Sequence, residues 1–595
     1  MTVTRVEYEQ TVWSLTKLLP EPVEEAASRF LAEMEVAVGE LEAARPRLGP
    51  ELTSAELLEL LRTYEALTEK SFVVSAYAQL AFAADTQSEE ALTFRNRMEQ
   101  ALIGFKNRVV FLTLWWKELS DSEAKRLLPD ESQEPDFVHF LRDLRRMKPF
   151  TLEERCEQIV NLKDADGIGA VLTLYSMLTN RLEFEIEVDS ETKRLTRDEA
   201  MSLVFSPQAD LREAAYRESF RVFKGEAKIL GQIYVNRVRD WASEQVELRG
   251  FGSPIAVRNI ANDVPDRAVE VLLETGAEAA SVFRRYFRWK AGQLGTAKLS
   301  RYDLYAPLSA SDWRIPYADA VDQVLETLAD FHPRFEELAR RVFDEQHIDS
   351  EIRKGKKGGA FCATVLPSQT PWLLVNYTGR VRDVETLAHE LGHAIHSMMA
   401  ADHSVLTQHA SLPLAETASV FAERLLADRL LAEESDPLVR RELLAASLDD
   451  IYATVVRQAY FVRFEIAAHE AILGGRSPED LGDLYFNLLA EQFGDSVEVE
   501  EDFRYEWLSI PHIYHTPFYC YSYSFGQLLV LALYRRYQEE GESFIPGYLR
   551  ILTHGGSARP ETILSEAGVD MTDREFWRGG VRVLSGLVDE LEAVG

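Results

Sequence analysis

Apolar residues recur at three- and four-residue spacing over most of this chain, a period that predicts helices. The pattern holds from Pro22 to about Leu144. Within it, the run through Leu57, Leu58 and Leu61 opens on Thr53-Ser54-Ala55-Glu56, whose first and last side chains can each take the other's backbone N–H as a capping box. Thr151-Leu152-Glu153-Glu154 predicts a second start of this kind, and the Trp115-Trp116 pair is assigned to the core. At Leu182-Glu183-Phe184-Glu185-Ile186-Glu187-Val188 the period changes to strict alternation, which predicts a strand turning at Asp189-Ser190-Glu191. The helical period returns at Thr196-Arg197-Asp198-Glu199 and runs to about Gly295, with breaks at Pro254 and Pro265. Two short strands are expected at 360–365 and 372–377, joined through Pro367 and Pro371. The expected class is mainly α with a small sheet. A cut is placed between 195 and 196, separating an N-terminal helical lobe (1–195) from the rest (196–595).

Chemistry concentrates in Leu387-Ala388-His389-Glu390-Leu391-Gly392-His393-Ala394-Ile395-His396. Val384, Leu387, Leu391, Ala394, Ile395 and Met398 form an apolar helical stripe, and Asp383 is the expected N-cap. On that helix His389 and His393 stand one turn apart on one face, so both rings can reach one cation, with Glu390 beside them to handle a proton. This is the pattern of a zinc hydrolase. Gly392 should weaken the helix by ~1 kcal/mol relative to Ala. Its place between two candidate ligands predicts that a backbone or a substrate comes close there.

A catalytic zinc usually takes three protein ligands, and the third must come from elsewhere in the chain. The metzincin pattern would need Gly at 396 and His at 399, where this chain has His396 and Met399. A glutamate on a following helix is the alternative, and the run from Ser411 to Glu423 supplies Glu416, with Pro413 suited to its first turn. The polar stretch from Ala401 to Ser411 is long enough to reverse the chain. Glu423, seven residues on, is expected to hold a ligand histidine by a hydrogen bond. His396 is expected to pack beside the ligands, since three already fill the protein's share of the shell.

These residues, His-Glu-Leu-Gly-His-x-x-His followed by Glu-Thr-Ala-Ser-x-x-x-Glu, resemble the thimet oligopeptidase superfamily, and most closely its oligoendopeptidase F branch, from about Gly358 to Gly526. The resemblance implies a two-lobed helical metallopeptidase with a deep substrate channel. It implies one zinc ion on His389, His393 and Glu416. It also places transition-state donors in a His-Tyr segment like Pro511 to Gly526, where Tyr521 matches the family's tyrosine, followed by Tyr514 and His512, with the register of His512 against His515 left open. Thr516-Pro517 predicts the start of the helix there, with Tyr514, Phe518, Tyr521 and Phe525 on one stripe.

The expected reaction is hydrolysis of internal bonds in short unfolded peptides, with Glu390 as general base. An exopeptidase that grips a terminal carboxylate on the same core, such as a carboxypeptidase or dipeptidyl carboxypeptidase, stays open. An inactive helical peptide-binding scaffold is the distant alternative. Substrate is expected along the Ala360 to Val365 strand, as an added strand on a sheet edge. Gly359, Ala360, Phe361, Cys362 and Tyr519 are the candidate substrate contacts. Lys354-Gly355-Lys356-Lys357-Gly358-Gly359, just upstream, is read as a solvated loop.

A net charge of -33 over 595 residues repels nucleic acid and anionic membrane alike. Cys156, Cys362 and Cys520 are too few and scattered for a disulfide framework. Arg5, Glu7, Glu9 and Lys17 interrupt any apolar run at the N-terminus, so no signal peptide is expected. A cytoplasmic monomer or homodimer follows as the expectation.

Overall fold

The computed structural model describes residues 8–308 and 314–594; Arg5 and Glu7 lie outside them. Helices dominate, and the sheets are small. Backbone contacts divide the chain into two compact units, each assembled from three segments: residues 1–148, 312–430 and 540–569 in the first, 149–311, 431–539 and 570–595 in the second. The division therefore does not follow a single cut at 195. A boundary drawn from local sequence cannot express a unit whose core is completed by segments hundreds of residues apart.

In the first unit, helices Val23–Ala44, Ser54–Ala84 and Glu89–Glu118 pack side by side around Met34, Val38, Leu41, Leu67, Val109 and Leu112. The Thr53 capping box forms as the sequence predicts. Of the tryptophan pair, Trp116 is buried with its indole N–H on the Leu141 carbonyl at 2.7 Å, and Trp115 is half-buried. A three-stranded sheet has Trp372–Leu374 at its centre, parallel to Ile348–Asp349 and antiparallel to Phe361–Ala363, with Cys362 opposite Leu373. Phe361–Ala363 is thus an edge strand. Both predicted strands are shortened to three residues, and Pro367 and Pro371 in the connection have no N–H to extend the ladder.

The basic loop before this edge is not solvated throughout. The Lys356 side chain is buried, and its ammonium donates to the carbonyls of Asp349, Glu351 and Val375 at 3.0, 2.7 and 2.7 Å. The cause is Asp349, a fully buried carboxylate that pairs with Lys356 at 2.8 Å and with Arg353 at 2.7 Å. A charge taken out of water must be paired, and this one draws the loop onto the sheet.

In the second unit, Asp266–Gln293 lies along Arg574–Val594, and Ala209–Trp241 and Arg457–Leu473 complete the helical frame. The predicted alternation is a hairpin, Phe184–Val188 against Glu191–Leu195. Asp189 and Ser190 turn it with φ of +55° and +65°, the signs that a two-residue hairpin turn demands. A helix starts at Thr196 as the sequence predicts, closed by a capping box, and a further capping box forms at Ser477. The helix expected to open at Thr151 starts at Glu154, with Glu153 at its N-cap. No helix among the described residues is long and apolar enough to cross a membrane.

Candidate metal centre and active site

The helix that carries His389 and His393 spans Val381–Met399. Asp383 sits in its first turn, not at the N-cap, which is Arg380; its carboxylate accepts the N–H groups of Thr378 and Arg380 at 2.7 and 3.1 Å. A carboxylate in this position also offsets the positive end of the helix dipole. The apolar stripe from Val384 to Met398 is buried, which leaves the two histidines, half-exposed, on the opposite face.

Glu416 reaches them from a broken helix. The expected continuous helix from 411 to 423 is instead a single turn, Leu412–Ala415, then a turn at 416–418, then the helix Ser419–Glu433. The break lies against Gly392, whose lack of a side chain admits it. A Cβ built there would stand 2.5 Å from Ser419 Cα and 2.6 Å from the Ala418 carbonyl oxygen. Backbone rather than substrate occupies the space that the glycine opens. Glu416 and Glu423 therefore approach His389 from different elements: Glu416 Oε2 is 3.5 Å from Nε2, and Glu423 Oε1 is 2.9 Å from Nδ1.

Nε2 of His389, Nε2 of His393 and Oε2 of Glu416 are 3.1, 3.4 and 3.5 Å apart. Ligands at ~2.0–2.1 Å from a tetrahedral ion stand roughly 3.3 Å from one another, so this donor set fits a zinc-sized cation. The electrostatics agree. Burial pulls the His389 pKa down, but the Glu423 hydrogen bond and the charges of Glu423, Glu416 and Glu390 outweigh it and raise it to about 9. The carboxylates around His389 thus favour positive charge there, whereas at His393 burial prevails and lowers the pKa. Among the described residues this is the one group of three or more histidine, cysteine or acidic side chains whose donor atoms converge in this way.

Glu390 is outside that group. It is 6% exposed, its Oε2 is buried with no hydrogen-bond partner, and burial pushes its carboxyl up to about 7 despite the pull of His389. His396 packs behind the ligands, buried, its pKa lowered to about 4 chiefly by desolvation. Both line a cleft of about 360 Å³ whose other wall includes Ala360, Phe361 and Cys362 from the edge strand. Burial and the nearby Glu390 charge hold the Cys362 thiol well above its usual pKa. Gly359 lies at the strand's start with φ +77°, its carbonyl accepting from Asn376 at 2.8 Å.

Sequence reasoning missed the contribution of Gln408 and His409, which also line the cleft. They lie in the stretch read only as a chain reversal. That stretch is pinned by Asp136, which accepts from Ser404 N–H and Thr407 Oγ1 at 3.0 and 2.8 Å and bonds His403 Nδ1 at 3.0 Å. The polar cluster His403, Ser404 and Thr407 was the available signal.

Tyr521, Tyr514, His512 and Tyr519 belong to the second unit. The predicted helix start at Thr516-Pro517 is displaced: Pro511–His515 is a single short helix, and the long one is Tyr521–Glu540. Phe518 between them has φ +59°, which no helix accommodates. Tyr521 is buried, and its hydroxyl accepts from Asn262 Nδ2 at 2.9 Å. Tyr514 stacks on Tyr175 with ring centres 4.1 Å apart. His512 lies parallel to Tyr519 at 6.1 Å, while His515 meets the edge of Tyr175.

A helical fold that brings two histidines and a glutamate to one point, with a second buried glutamate alongside, is that of a metal-dependent hydrolase. Residues 202–582 match the profile of peptidase family M3, and residues 115–184 that of oligopeptidase F. The chain belongs to peptidase family M3, and it is a metallo-oligopeptidase. It is 27% identical to the group B oligopeptidase PepB of Streptococcus agalactiae over 91% of this chain and 90% of that one. It is 25% identical to an oligoendopeptidase F homolog of Lactococcus lactis over 93% and 94%. In fold it is similar to the crystal structure of oligoendopeptidase-F from Enterococcus faecium, with a TM-score of 0.71, 22% identity and coverage of 96% and 99%.

One consequence can be measured at the metal alone. Glu423→Ala removes the partner of His389 Nδ1 while sparing the three converging atoms, so metal affinity should fall by roughly 10–100-fold without being abolished. Titration against a competing chelator reads it, and unchanged affinity would show that the bond does not orient the ring.

Proposed function

We propose that this enzyme is a zinc endopeptidase acting on short unfolded peptides in the cytoplasm. The observation that carries the reading is Glu390: a buried carboxylate with one unpartnered oxygen, next to three converging ligand atoms and across a cleft from a sheet edge. His389, His393 and Glu416 hold the ion, which when bound supplies the Lewis acidity that activates water and polarises a peptide carbonyl. Glu390 takes the proton from the attacking water and delivers it to the departing amine, a role suited to a carboxyl near neutrality. Glu423 keeps the His389 ring in register. The Phe361–Ala363 edge holds the peptide backbone, which reads extended conformation and leaves sequence choice loose. The free thiols of Cys156, Cys362 and Cys520 fit a reducing compartment.

The family resemblance assigns Tyr521 as the donor to the oxyanion, although its hydroxyl is buried on Asn262 in this structure. Tyr521→Phe should lower kcat by roughly 10²-fold with little change in KM. An unchanged kcat would return this tyrosine to the core. The endopeptidase reading is tested by mass spectrometry on a peptide blocked at both ends, digested with and without chelator. Internal cleavage that the chelator stops is expected; cleavage of the unblocked peptide only would make the enzyme an exopeptidase.

A further inference from the structure

The segment at 403–410, to which the proposed chemistry gives no part, carries a buried amide that binds nothing in the protein. Gln408 is 2% exposed and its Oε1 is enclosed without a hydrogen-bond partner. Among the described residues its amide makes no hydrogen bond at either end. An enclosed polar group left unpaired is unfavourable and calls for an explanation. The backbone around it is fixed. Gly556 N–H donates to the Thr407 carbonyl at 2.8 Å, and a Cβ at Gly555 or Gly556 would collide with the carbonyl oxygen of Gln408 or of His409. Asp136 anchors the same segment through Ser404 and Thr407. The amide is therefore presented from a rigid loop, in a place settled before anything binds.

Gln408 lines the metal cleft together with Glu390, both ligand histidines, and Ala360, Phe361 and Cys362 at the edge strand. Successive residues of an extended peptide turn their N–H and C=O groups to alternate sides, so a peptide laddered onto the Phe361–Ala363 edge offers only every second residue to it. The peptide groups between them face away. Once the peptide has displaced water from the cleft, those groups need partners as well. A glutamine amide meets that need, because its oxygen accepts a backbone N–H and its NH₂ donates to a backbone carbonyl. The enclosed oxygen of Gln408 and an outward-facing substrate N–H each supply what the other lacks.

We propose that Gln408 is a substrate-binding residue whose amide holds one outward-facing peptide group of a substrate laddered onto the Phe361–Ala363 edge, with Oε1 accepting that residue's N–H. The inference rests on the reading of this edge as the substrate's strand. It gives the cleft a second grip on backbone, independent of substrate side chains and of substrate ends. Binding then requires an extended conformation, since the edge takes alternate residues and Gln408 takes one between them.

The test pairs one variant with a scan of the substrate. In full-length, metal-loaded enzyme acting on a fluorogenic peptide blocked at both ends, Gln408→Leu should raise KM about 10-fold, with kcat within about twofold and metal content unchanged, as loss of binding rather than of chemistry does. Its Tm should hold level or rise, because leucine removes an unsatisfied polar group from a buried position; a glutamine that only held the loop together would lower it. Replacing each non-scissile amide of the peptide by an ester, one at a time, deletes a single N–H with little change of shape. One of these esters should cost the native enzyme about 10-fold in KM and Gln408→Leu less than about twofold, whereas esters at residues that ladder onto the edge should cost both enzymes alike. Gln408→Met repeats the scan should Gln408→Leu not fold. An unchanged KM in Gln408→Leu, or an ester scan to which both enzymes respond identically at alternate residues, overturns the proposal and leaves the edge strand standing. Insensitivity of the native enzyme to every ester removes the edge-strand reading and the proposal with it. If only the unblocked peptide is cut, the endopeptidase reading has failed, and the same scan on that peptide still decides Gln408.

Discussion

Glu390→Gln should bind metal like the native enzyme and turn over roughly 10³-fold more slowly, or worse. The expectation rests on how the Val381–Met399 helix distributes its side chains. Glu390 lies between the two histidines in sequence, yet it is not among the converging donor atoms, so its replacement leaves the ligand set intact. Glutamine matches its volume in a buried site and cannot take a proton. Among the described residues, no neighbour in the cleft is placed to substitute. His396 lies in the same cleft, but its Nε2 is buried without a partner and its affinity for protons is depressed by burial. Glu423 is engaged with His389 Nδ1. Metal analysis and kcat on one preparation decide the matter: loss of metal makes Glu390 a ligand, and retained turnover places the base elsewhere.

Much of the fold was legible because it is set by local chemistry. The capping box at Thr53 and the helix start at Thr196 are satisfied within four residues, and the alternation from Phe184 to Val188 needs only a neighbouring strand to explain it. The convergence of His389 and His393 was legible for the same reason, since helical pitch alone puts both on one face. What escaped was decided by distant partners. Lys356 reads as a loop lysine until Asp349 is known to be buried beneath it. The helix through Ser411 and Glu423 reads as continuous, whereas it breaks at 416–418 where its backbone packs against Gly392 of another helix. Phe518 reads as part of an aromatic stripe, whereas Glu465, in another helix, holds its N–H in a turn. The two units escaped for a related reason, because each is closed by segments that no local signal joins.

Gly392→Ala should cost most of the enzyme's metal affinity, although alanine is the better helix former by about 1 kcal/mol. The added methyl group would meet Ser419 Cα at 2.5 Å, the Ala418 carbonyl oxygen at 2.6 Å and Ser419 N at 2.8 Å. All three are backbone atoms, which cannot rotate away as a side-chain tip would. Overpacking of this kind costs about 1–3 kcal/mol, enough to outweigh the propensity gain. The strain can be relieved only by moving the turn at 416–418, and that turn is also held from its other side, where the buried Tyr548 hydroxyl donates to the Thr417 carbonyl at 2.9 Å. Glu416 moves with it. A shift of even 1 Å takes its oxygen out of bonding range of an ion fixed by two histidines, since metal–oxygen bonds here tolerate only about 0.2 Å. Affinity should then fall by about 100-fold or more, activity should fall in parallel at limiting metal, and excess metal should restore part of it. Chelator competition together with melting of the metal-free protein provides the test. Unchanged affinity with a raised Tm would mean that the turn yields without carrying Glu416, and that the glycine serves helix packing alone.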